Sequence, residues 1–377
     1  MNIKTYFAAF ALCSLMLISC KEKDLPDETF INFAKEVEQQ MAYGNAASAI
    51  NAFDYDEIEK RITEGMNLSG KEKEQASSFI RNMENPISIT LEKVKNGADF
   101  RFLKFYRKDN EPHLVFRTYY NGEVSMEDWT LGVKDGQVRI FDAFLIVSGI
   151  YWSDDYRQQL HHHLQIYTDE VINISKLISI NHLISEGEYE QADSLLYWLM
   201  PQMQDNMYAR TMELRFASLM AEYADVQALA EQFDKSFPQA KRTSTYYLMQ
   251  STIQQGIVDE TIQHIYTLID SLGDDPIYYL YQAWVFQSSN SPKYALESLD
   301  SVIFYIPGNM GLYLNKMDIH YDNYDYENCV SLLYHIDSLF SQDEGDVHFF
   351  SESYPKLKEY KPFAEWTKSR GASLIEN

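Results

Sequence analysis

The chain has little cysteine. Of 377 residues three are cysteine, and two of these, Cys13 and Cys20, fall in the first twenty. Cys329 is alone in the remainder, and one thiol builds neither a disulfide framework nor a cysteine-based zinc site. Catalytic motifs are missing too: there is no glycine-rich phosphate loop, no Gly-x-Ser-x-Gly elbow and no His-Glu-x-x-His pair. The one histidine cluster, His161-His162-His163, sets neighbouring rings about 100° apart on a helix, so they do not converge on a metal. Neither a metal nor a cofactor is expected. Positive charge is also scarce, with 32 Lys and Arg against 56 Asp and Glu and a net charge of −24. Binding to nucleic acid or to an anionic membrane face by charge is therefore not expected. The apolar run Thr5–Ser19 falls short of the roughly 20 residues that a membrane span needs and matches the core of a signal peptide.

That run ends Leu17-Ile18-Ser19-Cys20, with Lys4 as the one charge before it. An aliphatic and a small residue ahead of a cysteine resemble the lipobox of bacterial lipoproteins. The resemblance implies cleavage before Cys20, acylation of its thiol and its new amine, and stable membrane anchoring by several chains. Residues 1–19 are then a signal peptide, residues 20–27 a polar tether, and the chain from Cys20 onward carries −25. Lys21, rather than an aspartate, after the cysteine implies the outer membrane. The acidic residues that follow resemble surface-export signals of Bacteroidetes-type lipoproteins, and the periplasmic and surface faces both stay open.

Residues 28–152 read as an α+β domain. "ETFINFAKEVEQQMAYG", "DYDEIEKRITEG" and "SGKEKEQASSFIRNM" have helical periodicity, the last behind Ser69. "ISITLEKVKN", "DFRFLKFYRKD", "PHLVFRTYYNG", "VSMEDWTLGVKDG" and "QVRIFDAFLIVSG" read as strands. Their breaks at Asn96-Gly97, Asp109-Asn110, Asn121-Gly122 and Asp135-Gly136 predict an antiparallel meander. The stretch "RTYYNGEVSMEDWTLGVKDGQVRIFDAF" resembles the strand region of NTF2-like and cystatin-like domains, which implies helices packed on a curved sheet around a ligand-sized cone. Arg117 and Asp142 each interrupt an apolar strand. Asp142 is either a pocket carboxylate able to act as a base, one half of an Arg117–Asp142 ion pair, or a group on the solvated face of the sheet.

Residues 153–377 read as helical. Small residues recur at Ala192, Ala228, Thr261, Ala295 and Cys329, with spacings of 36, 33, 34 and 34. Four residues later stand Leu196, Gln232, Ile265, Leu299 and Leu333, of which Gln232 breaks the apolar pattern. The segments "GEYEQADSLL" and "ENCVSLLYHI" resemble tetratricopeptide repeats, which implies an all-α solenoid with a concave face lined by the first helix of each unit. In this register Asn181, Arg210, Glu213, Tyr246, Gln250, Trp284, Gln287, Asp318 and Tyr321 line that face. The basic clamp that some such domains use for a terminal carboxylate is absent, since Leu177 stands in its place. Trp284 and Tyr321 are the expected anchors, with simple packing of Trp284 between helices as the other reading.

The expected function is that of a membrane-anchored, non-enzymatic interaction protein that binds a protein or peptide segment in the groove. A small-ligand or enzymatic pocket in the NTF2-like domain is the alternative, and glycan capture like that of SusD-like lipoproteins is a third. The anchor has a direct test. Cys20→Ala leaves a precursor that takes up no metabolic acyl label, because no other residue supplies the thioether; label in that variant would remove the lipobox reading.

Overall fold

The computed structural model describes residues 25–120, 122–166, 168–340 and 344–370, so Cys20 and its tether up to residue 24 lie outside the described residues. Five helices come first: α1 (Asp27–Ala42), α2 (Ala47–Ala52), α3 (Tyr55–Thr63), α4 (Gly70–Asn82) and α5 (Pro86–Lys95). A five-stranded antiparallel meander follows, its strands side by side in chain order: β1 (Asp99–Lys108), β2 (Glu111–Tyr120), β3 (Glu123–Lys134), β4 (Gln137–Leu145) and β5 (Ile150–Tyr151). The rest is helical, beginning with α6 (Trp152–His163). The chain is thus an α+β unit followed by an all-α array.

Local chemistry accounts for most of these elements. Ser69 and Glu72 form a reciprocal capping box that starts α4. Asp109-Asn110 and Asp135-Gly136 take the positive φ of tight hairpin turns between β1 and β2 and between β3 and β4. One expected strand is a helix instead. "ISITLEKVKN" forms α5 because Asn85 caps the Ile87 amide at 3.0 Å and Pro86 occupies the first helical position. Ile87, Thr90, Leu91 and Val94 then bury one helical stripe. Gly97, at φ +97°, accordingly turns a helix into β1 and does not join two strands.

The pleat divides the sheet between two cores. On one face Leu114, Phe116, Trp129 and Ile140 pack with Phe30, Met41, Ile58 and Ile80 of the leading helices. Trp152, Tyr156 and Leu160 bring α6 into the same core. On the other face Val115, Tyr119, Val124, Met126, Phe144 and Ile146 pack against the helical array. β2 is consequently buried from Pro112 to Tyr119 without a break. A sheet covered on both faces cannot show the alternation of a half-solvated one.

The array is built of helical hairpins: α7 (Asp169–Ser185) with α8 (Tyr189–Leu199), α9 (Met207–Met220) with α10 (Tyr223–Ser236), α11 (Lys241–Gln254) with α12 (Val258–Leu272), α13 (Ile277–Ser288) with α14 (Pro292–Tyr305), and α15 (Met310–Asp322) with α16 (Tyr326–Leu339). Two shorter helices, α17 (Glu344–Ser353) and α18 (Lys361–Ser369), follow. Ala192, Thr261, Ala295 and Cys329 are fully buried at the helix contacts, as expected. The second unit is corrected: Ala228 and Gln232 are exposed, and Val226 and Ala230 occupy the buried places. The cause is a turn. In the other four units a residue of positive φ stands five places before the buried position: Gly187, Gly256, Asn290 and Tyr324. In the second unit Ala221 stands there at φ −103° and joins α9 to α10 by a shorter link.

Two substitutions separate the registers. Val226→Ala should lower unfolding free energy by about 2 kcal/mol through lost burial and a cavity. Ala228→Lys should stay within about 0.5 kcal/mol of the parent. Urea melts of both variants decide between them, and the reverse order would restore the register read from sequence.

Candidate functional site

The joint between sheet and array limits which surfaces are open. Arg117, on the array-facing side of β2, is fully buried. Its Nη1 donates to the Asp99 carboxylate at 2.5 Å and to the Asp99 carbonyl at 3.0 Å, and its Nη2 donates to Asp275 at 3.0 Å. Burial disfavours the charge, but Asp275 and Asp99 outweigh it and hold the guanidinium above its ordinary pKa. Asp275 also accepts from the Ile277 amide at 2.7 Å and so caps the start of α13. A second buried cluster centres on Asp128, which meets Arg242 of α11, the Tyr106 hydroxyl, and His113 Nδ1 at 3.0 Å. Burial pushes the Asp128 carboxyl up, yet His113 and Arg242 hold it below the usual range. Around these charges the array reaches sheet backbone: Thr243 donates to the Ile146 carbonyl and Tyr247 to the Val147 carbonyl, both at 2.7 Å. Gly273, at φ +106°, allows a close approach, since a Cβ there would stand 2.7 Å from the Leu103 carbonyl oxygen.

The sheet therefore occupies the beginnings of the inner helices α11 and α13. The expected groove residues lie farther along α11, α13 and α15. Tyr246 packs edge-on against Tyr247 and Tyr281. Trp284 lies edge-on to Tyr281 at 5.5 Å, partly buried against the core between sheet and array, with Nε1 3.5 Å from Asn315 Oδ1. Asp318 accepts from the Tyr354 hydroxyl at 2.7 Å, and burial raises its carboxyl pKa despite that bond. Tyr321 packs on Tyr354 at 5.1 Å and accepts from the Lys356 amide at 3.2 Å. Gln250 and Gln287 are partly exposed. So the helices after α16 close over the Asp318–Tyr321 end of this strip.

Arg117 and Asp142 do not pair. They contact opposite sides of the sheet, Arg117 the array and Asp142 the leading helices. Asp142 accepts from the Ser153 hydroxyl at 2.5 Å and from the amides of Ser153 and Ala143 at 3.1 and 2.9 Å, with Arg61 3.9 Å away. Burial pushes its carboxyl up to about 6. A small cavity among the helices, lined by Phe53, Tyr55, Ile58, Ile80 and Tyr156, measures about 10 Å³, room for a single water.

A larger cleft lies elsewhere. Along most of the array the second helix of one hairpin packs on the first helix of the next, α10 on α11, α12 on α13 and α14 on α15, but α8 barely touches α9. The gap holds about 710 Å³. Its apolar lining includes Leu196, Met200, Phe216, Ala217 and Leu229, and its rim carries Glu190, Asp193 and Glu213. Arg210, placed on the inner face by sequence, lines this cleft and pairs with Glu213. Tyr197 is an exposed residue of its lining, and Trp198 is exposed on another face of α8, where Lys176 of α7 stands over its ring at 4.0 Å. Sequence reasoning passed over this site, although it carried a signal. "YEQADSLLYWLM" holds more apolar residues than one helical face can bury: Ala192, Leu196 and Leu199 go inward, and Leu195, Tyr197 and Trp198 stay out.

Asp142 yields a prediction about pH. A carboxyl raised in the folded state stabilises the fold fully below its unfolded pKa near 4, and that contribution is lost as pH rises through about 6. Carboxyl-carbon NMR should show Asp142 titrating near 6, well above an ordinary aspartate. Ser153→Ala should move it higher still, because the Ser153 hydroxyl bond lowers it. An ordinary midpoint in the parent would contradict the burial argument.

Among the described residues no cluster of His, Cys, Asp and Glu is suited to hold a metal, and no helix is long and apolar enough to cross a membrane. Compared with known protein families, with curated proteins and with solved structures, the chain finds no match.

Proposed function

We propose that this chain is a non-enzymatic interaction protein, held at the outer membrane by lipid on Cys20, whose tetratricopeptide-like array grips an amphipathic segment of a partner protein. The observation that carries this reading is the 710 Å³ cleft between α8 and α9. Its volume falls in the range of about 300–1,000 Å³ usual for ligand sites, and its wall is mostly apolar. A helix laid with its apolar face against Leu196, Met200, Phe216 and Leu229 would replace the hairpin contact missing there. Glu190, Asp193 and Glu213 outnumber Arg210 on the rim, so the segment that fits carries Lys or Arg beside its apolar stripe. Exposed Tyr197 extends the contact, in keeping with the role of such residues as anchors. The strip from Gln250 to Tyr321 is a poorer site, since its ends are engaged by the sheet and by the helices after α16. The NTF2-like domain serves here as the body that fills the start of the concave face.

The test places a photo-crosslinking residue at Met220, which is half exposed at the cleft, in the full anchored protein. The expected result is one dominant protein adduct whose linked peptide has apolar residues three and four apart and flanking Lys or Arg. Glu190→Lys with Asp193→Lys should weaken that partner about tenfold while leaving the melting temperature unchanged. Adducts to lipid only, or capture indifferent to the charge reversal, would remove the proposal.

A further inference from the structure

The corrected register of the second hairpin brings one further residue onto the inner face. Eleven places before the buried positions Ala192, Val226, Thr261, Ala295 and Cys329 stand Asn181, Arg215, Gln250, Trp284 and Asp318. They are equivalent from repeat to repeat, one on each first helix from α7 to α15, and all are partly exposed. Arg215 is the cation of this row, and its Nη1 donates to Oδ1 of Asn181, its neighbour in the row.

Arg215 differs from other arginines of the fold. Arg61, Arg101, Arg117, Arg157, Arg210 and Arg242 each pair with a carboxylate. Among the described residues Arg215 has Asn181 as its one hydrogen-bond partner and no carboxylate, in a chain with 56 acids to 32 bases. Nε and Nη2 are left over, and neither is sealed from solvent. With Nη1 taken, these two nitrogens present parallel N–H bonds along one edge of the guanidinium, the planar fork that holds a carboxylate by two hydrogen bonds.

Neutral groups stand near the fork. Burial raises the pKa of the Tyr208 and Tyr246 hydroxyls, and the Arg215 charge opposes that rise at both, so the guanidinium lies near each ring. Gln250, next in the row, sets its amide beside the Tyr246 hydroxyl. The acids that act on these tyrosines are Asp155 and Glu123, and neither pairs with Arg215. One cation among neutral donors, with acids in the neighbourhood, suits a single negative charge. A phosphate dianion would meet one positive charge against the field of a strongly acidic chain.

We propose that Arg215 anchors a carboxylate-binding site on the inner face, with Nε and Nη2 on the two carboxylate oxygens and Asn181, Tyr246 and Gln250 beside it for the rest of the ligand. The carboxylate belongs to an acidic side chain of a peptide or to a free small acid. Arg215 and Glu213 are two residues apart at about 100° each, which puts them on opposite sides of α9. The site is therefore separate from the cleft between α8 and α9, and either can fail alone.

The experiment is calorimetric titration of the full chain with acetyl-Ala-Ala-Glu-Ala-Ala-amide, butyrate, their neutral counterparts (the Gln peptide and butyramide) and inorganic phosphate. The Glu peptide or butyrate should bind at least about tenfold more tightly than its neutral counterpart and than phosphate, and the tighter of the two identifies the source. Arg215→Gln should remove the preference for the charged form, and Arg215→Lys, which keeps the charge and loses the fork, should retain only part of it. The charged and neutral probes are compared on the parent protein, so a variant that fails to fold does not spoil the test. The proposal is overturned by absence of binding at millimolar carboxylate, by equal binding of charged and neutral forms, by phosphate binding as tight as carboxylate, or by a preference that survives in folded Arg215→Gln.

Discussion

The rest of the structure depends on the burial of Arg117 between Asp99 and Asp275. A guanidinium removed from water is costly, and removing one partner of such a group leaves a buried charge at a penalty of about 3–5 kcal/mol. Here one carboxylate comes from β1 and the other from the residues that cap α13. The cation therefore has both its carboxylates only when sheet and array are docked. Asp128, bound to Tyr106 and His113 on the sheet and to Arg242 on α11, repeats the device near the start of α11. Two charge clusters at separate points set a relative orientation that an apolar contact alone would leave loose.

Docking decides which surfaces remain for partners. A free array would present the whole inner face of its first helices. In this protein the face begins under the sheet, where Thr243 and Tyr247 bond to strand backbone, and ends under the tyrosines of the last helices. Openings remain where packing is interrupted. One falls between α8 and α9, where the regular stacking of hairpins fails, and another where the turns of the α+β unit stand off from α15. They differ in character. The first is apolar with an acidic rim, and the second is lined by Gly97, Gly122, Gly308 and Gly311 together with Asn315 and Asp318.

The buried Asp142 follows the same logic on the other face of the sheet. It lies in a strand that closes against α3 and α6, with Ser153 as its partner. Its raised pKa is a consequence of desolvation in a packed core.

Several features were decided by the sequence alone. The meander was legible because Asp109-Asn110 and Asp135-Gly136 supply the positive φ that hairpins need, whatever surrounds them. The array was legible because its buried positions recur at about one repeat length, and Gly187 and Gly256 mark turns by the same backbone freedom. Where a cue was local but weak, the reading failed. α5 looked like a strand because its β-branched residues outweighed a cap visible only as Asn85-Pro86. The second hairpin slipped by two residues because Ala221 gives no turn signal. Tertiary structure alone decided the partners of Arg117 and Asp142, the covering of the inner face and the positions of both clefts. These depend on residues such as Arg117 and Asp275, 158 positions apart in the chain. Periodicity reports which face of an element is apolar, but not which other element will bury it.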